Sequence, residues 1–191
     1  MELVAFARIV PAAALLSLLV ACTPWKEVRP SGGGFAVQMP DPHPCNRSRG
    51  PSEFGALSGW QCTSDDGAAF SKQFGIYSAS SFAIPAGQDL EPVKRSVAHD
   101  VSPENLEVGT NLIASRERSL GGAVWSESVL EGGESRRRWR ATHLVTVRSG
   151  GVFRLVVTGP LDAWPSRQAD RFFASFRFVG EPGDASPPGR R

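Results

Sequence analysis

Apolar and polar positions alternate in several short runs of the chain. Phe35, Val37 and Met39 alternate with Ala36 and Gln38 before Pro40. That period of two predicts a strand with one apolar face, stopped by the proline. Ser58 to Thr63 and Ala69 to Tyr77 flank Ser64-Asp65-Asp66-Gly67. Asp-Gly between β-prone runs predicts a hairpin. Phe70, Phe74 and Ile76 then share one face, and Cys62 points inward beside Trp60. The two aspartates read as turn residues rather than as metal ligands or an acid–base pair. Leu112 to Ser119 and Ala123 to Leu130 predict a second hairpin around Gly121-Gly122, with Ser and Glu marking a partly covered face.

The clearest alternation runs from Arg137 to Arg148. Trp139, Ala141, His143, Val145 and Val147 share one face; Arg138, Arg140, Thr142, Thr146 and Arg148 share the other. Ser149-Gly150-Gly151 turns the chain, and Val152 to Thr158 returns with Phe153, Leu155 and Val157 on one face. A three-residue loop places Arg148 opposite Val152. It pairs Val147 with Phe153, Val145 with Leu155 and His143 with Val157, so the apolar sets coincide. A one-residue slip would turn them outward.

The period becomes helical twice. Leu90, Val93, Val97 and Val101 predict a helix over 91–101, ended by Pro103. Ala169, Phe172, Phe173 and Phe176 form one apolar stripe on a helix that starts at Pro165. Residues 23–34, ending in Gly32-Gly33-Gly34, read as a tether spanning at most about 40 Å. Residues 41–52 read as a loop, and 181–191 as a disordered Pro/Gly tail.

Composition narrows the function classes. The 191 residues carry a formal net charge of +2, too weak a balance to make nucleic acid the partner. Three histidines are scattered, and no nucleophile elbow, phosphate loop, HExxH or dinucleotide turn occurs. Neither a cofactor nor a metal is implied, and the chain is expected not to be an enzyme. His143 reads as a hydrogen-bonded core histidine before it reads as a ligand.

The first residues change the picture more. Arg8 precedes an apolar run from Ile9 to Val20, and Leu19-Val20-Ala21-Cys22 follows the layout of a bacterial secretory signal. A cysteine directly after a Leu-x-Ala triplet resembles the lipobox of bacterial lipoproteins. The resemblance implies cleavage before Cys22, lipid on its thiol and an acylated new amino terminus. The protein would then be lipid-anchored in the cell envelope, facing the periplasm or the exterior. Removal of 1–21 leaves a lipidated tether (22–34), one domain (35–179) and the tail (180–191). Cys45 and Cys62 remain, in a compartment that permits oxidation, and a disulfide between them is expected.

Gly34-Phe35-Ala36-Val37-Gln38-Met39-Pro40 also resembles the opening strand of exported bacterial domains with the PsbP/Mog1-like fold. Val152 to Pro160, followed by Ala169-Asp170-Arg171-Phe172-Phe173-Ala174-Ser175-Phe176, is similar to their closing strand and helix. The resemblance implies an α+β fold, an antiparallel sheet of six to seven strands with helices on its faces. It carries no catalytic residue over to this chain.

One charge pattern stands out. Residues 136–161 hold six Arg and no acid, whereas 89–134 hold nine acids against four bases. One reading is a solvated face whose patches neutralise each other. The functional reading is a strip of Arg138, Arg140, Arg148 and Arg154 on one sheet face, a site for anionic lipid, cell-wall polymer or an acidic protein. The expected function is a non-catalytic binding or assembly module on the membrane. The alternatives are a purely structural envelope protein or an enzyme with an unrecognised site.

Overall fold

The computed structural model describes residues 24–50, 57–65, 75–99, 106, 108–134, 138–148 and 150–180. In chain order the strands are β1 (Trp25–Val28), β2 (Phe35–Pro40), β3 (Asn46–Gly50), β4 (Leu57–Asp65) and β5 (Ile76–Ala83). Helix α1 (Leu90–His99) follows, then β6 (Thr110–Leu120), β7 (Ala123–Gly132), β8 (Trp139–Arg148) and β9 (Gly151–Pro160). A 3-10 turn (Leu161–Ala163), helix α2 (Ser166–Ala174) and β10 (Arg177–Phe178) close the fold. The expected antiparallel sheet is present, with seven strands in the order β3-β4-β5-β9-β8-β7-β6. A second sheet, β1-β2-β10, is added to it, so the domain is sheet-dominated.

Alternation puts one side chain in two on the inner face of the large sheet. Cys62, Tyr77, Ala79, Trp125, Leu144, Phe153, Leu155 and Val157 are buried there. Phe35, Val37 and Met39 of β2, Ala169, Phe172 and Phe173 of α2, and Phe176 just beyond α2 close over them. Each buried side chain of this size contributes roughly 1.5–3 kcal/mol over exposure. Phe176 meets Trp125, Phe153 and Phe178 edge to face, which locks α2 and β10 onto the sheet. On the outer face α1 lies over β8, and Val93 packs with Leu57, Ile84, Val145 and Val152. The α1 start is set by Asp89, whose Oδ1 accepts from the Glu91 amide at 3.0 Å.

Gly121 and Gly122 turn β6 into β7 with φ of 58° and 77°, which the two-residue turn requires, so that hairpin stands where it was expected. Other expectations change. The 22–34 tether gives way at Trp25–Val28, which pairs with Pro40–Val37 as β1. The 41–52 loop contains β3, paired with β4. Neither segment alternates in polarity; each is a strand because it satisfies the hydrogen-bonding edge of a neighbour. Asp65 pairs with Ile76, so β4 and β5 are joined by a longer connection than the expected tight hairpin, and Asp66-Gly67 lies outside the described residues. Ile76 faces outward, 53% exposed, while Tyr77 points in. Phe70, Phe74 and the 181–191 tail lie outside the described residues, as do residues 1–23.

The largest correction is between β8 and β9. Arg148 pairs with Gly151, so two residues rather than three separate the paired strands. Val145 therefore stands opposite Arg154, and Leu144 opposite Leu155. The expected three-residue loop is one residue too long. Its shift exchanges the two faces of β8 relative to β9.

Candidate ligand cleft

That register decides what the outer face carries. Glu117 stands opposite Ser126, Ser126 opposite Val145, and Val145 opposite Arg154. One row over, Ser128 stands opposite His143, and His143 opposite Val156. Directly opposed residues share a face, so Ser126, Ser128, His143 and Arg154 lie together on the outer side. Helix α1 covers only part of this side. Beside it runs a cleft of about 480 Å³ lined by Lys94, Glu117, Val124, Ser126, Ser128 and His143, with Val145 and Val147 among its apolar walls.

His143 sits in this cleft as a neutral ring. Arg154 Nη2 lies 3.2 Å from His143 Nδ1. A guanidinium only donates, so Nδ1 accepts and the ring proton is on Nε2. Burial, reinforced by the positive charge of Arg154, pushes the imidazole down to about 4. Ser128 is buried beside it, Ser126 is exposed, and Lys94 is held by Glu91 at 2.6 Å. The cleft thus offers an N–H and serine hydroxyls along an aliphatic wall, with Lys94, Arg148 and Glu117 as the charged residues of its lining.

The Arg strip does not form. Arg140 and Arg148 project on the inner side of β8, while Arg154 projects on the outer side of β9. Arg138 and Arg140 both hold Glu131, and Arg140 also lies over the Trp164 ring. Arg148 sits 4.1 Å above the ring centre of Phe178. Glu127, buried on β7, is likewise gripped by Arg116 and Arg118. Glu131 and Glu127 of β7 thus neutralise Arg138, Arg140, Arg116 and Arg118 within the fold.

Cys45 and Cys62 form a disulfide with a Cα–Cα distance of 4.2 Å. Pairing of Asn46 with Gln61, continued by one residue, sets the two cysteines side by side. Cys22 lies outside the described residues. Among the described residues no helix is long and apolar enough to cross a membrane, and no three His, Cys, Asp or Glu side chains gather as a metal site. Sequence reasoning missed Glu117, Ser126, Ser128 and Lys94. The Ser126/Ser128 alternation was the available signal, but its meaning depends on which face α1 covers.

By sequence, no family model and no curated protein matches the chain. Solved structures resemble it in shape. A Bacteroides thetaiotaomicron protein is 13% identical with a TM-score of 0.52, matched over 82% of this chain and 49% of its own. This chain therefore spans about half the length of that protein. LpqN of Mycobacterium tuberculosis, described as involved in cell envelope biogenesis, is 14% identical with a TM-score of 0.48, over 82% and 91%. The likeness to the Bacteroides protein shows a shared fold.

Proposed function

We propose that this protein is a lipid-anchored envelope lipoprotein whose domain, of the PsbP/Mog1-like kind, is a non-catalytic binding module. The lipobox-like Leu19-Val20-Ala21-Cys22 supports the location. The observation that carries the binding role is the cleft beside α1, with Ser126, Ser128 and His143 on its floor. Its size suits a small ligand or one segment of a polymer. Charges of both signs line it, with Lys94 already held by Glu91, so the ligand is polar, with an apolar side against Val124, Val145 and Val147.

The His143 environment speaks against hydrolysis. A histidine base needs an anion behind it to stabilise the imidazolium that forms. Here a guanidinium stands in that place, and it favours the neutral ring as a fixed donor. The test is to purify the lipidated protein from its own membranes and identify by native mass spectrometry what is released on denaturation. A molecule retained by wild type and lost from Ser126→Trp, which fills the cleft from an exposed position, supports the reading. Identical spectra for both proteins overturn it.

A further inference from the structure

The first residue of β1 is only three positions beyond Cys22. Fully extended, that link spans at most about 11 Å. Trp25 is not part of a free tether. It pairs with Pro40, the Asp41 amide donates to the Pro24 carbonyl, and its ring meets Tyr77 edge to face at 5.7 Å. Arg171 lies over the same ring at 4.4 Å. An anchor at Cys22 would therefore leave the domain at one fixed point, almost without slack.

The register shows what surrounds that point. Ile76 pairs with Asp65 and Thr158, Trp139 with Pro160 and Gly132, and Thr110 with Gly132. These strand ends form one end of the large sheet, and Trp25 against Tyr77 places the start of β1 there too. Three of the four exposed large hydrophobics among the described residues lie at this end: Ile76, Val108 and Ile113. Val124 is at the other. The half-buried Trp139 and Trp164 are also at the anchored end, and Trp rings favour the headgroup layer of a bilayer.

We infer that this end of the domain, carrying Trp25, Ile76, Val108, Trp139 and Trp164, rests directly on the bilayer surface. The inference rests on the reading of Cys22 as lipidated. The headgroup layer is about 5–8 Å thick on each side, comparable to the link, so lipid covers these side chains without strain. Among the described residues here, Lys26 pairs with Asp41, Arg138 with Glu131, and Arg171 stacks on the Trp25 ring. The contact of these described side chains is therefore chiefly apolar and depends little on salt, and the ligand cleft, lined by Val124, lies away from the bilayer.

The test uses the full-length lipidated protein in phosphatidylcholine vesicles containing a nitroxide-headgroup lipid. With Cys22 acylated and Cys45 bridged to Cys62, Val108→Cys and Val124→Cys each supply one thiol for a fluorophore. Only protein that floats with the vesicles is measured. The expected result is several-fold stronger quenching at position 108 than at 124, unchanged from low to high salt. Equal quenching in floating protein overturns the docking alone. Quenching at 108 no stronger than at 124, with 108 buried at high protein density, means a second copy covers this end, which also overturns it. Protein that fails to float overturns the anchor and the docking with it.

Discussion

Arg154 donates to His143 across β9 and β8, and a cation backs the one histidine of the cleft. This arrangement has a consequence for acid stability. The folded imidazole takes up its proton near pH 4, the unfolded one near 6.5. The unfolded chain therefore binds the proton first as pH falls. Stability is full above about 6.5 and declines towards 4, by as much as about 3 kcal/mol. Arg154 stands against the ring, and Lys94, Glu117 and Arg148 line the same cleft. Urea midpoints across this window should fall for wild type and fall less for His143→Gln; parallel curves would show that His143 does not set the loss.

Arg140 is structural. It holds Glu131 and covers Trp164. Arg140→Ala should cost about 1–2 kcal/mol, read as a lower urea midpoint. Binding of the soluble domain to anionic vesicles should not change. An unchanged midpoint with lost vesicle binding would restore an anion-binding role.

The Cys45–Cys62 bridge staples the edge strand β3 to β4. Reduction, or a paired Cys45→Ser/Cys62→Ser variant, should lower stability by about 3 kcal/mol. Because Cys62 is buried, native protein should resist mild reductant until partly unfolded. Rapid alkylation of two thiols in the untreated native protein would contradict the bridge.

Gly59 faces the β5 backbone so closely that a Cβ would collide with the Ser81 carbonyl and press on Phe82. Gly59→Ala should destabilise by about 1–3 kcal/mol, since backbone cannot give way like a side-chain tip. A thermal melt superimposed on wild type would refute this.

Local signals in the chain were sufficient for much of the fold. The alternation of Phe35, Val37 and Met39, the Gly121-Gly122 turn and the Ala169–Phe176 stripe each appear where expected, because backbone geometry alone sets those periods. Cys45 and Cys62 were legible as a pair from their number and compartment. Tertiary structure alone decided three things. Trp25–Val28 and Asn46–Gly50 became strands because neighbouring edges needed partners, not because of their own pattern. The faces of β8 were exchanged because both of its alternating sets, His143/Val145/Val147 and Thr142/Leu144/Thr146, are apolar enough to be buried. The sheet is covered on its inner side by β2 and α2 and partly on its outer side by α1, so polarity does not discriminate between them. A loop one residue shorter then separated Arg154 from Arg140 and Arg148, and set it behind His143 in the cleft.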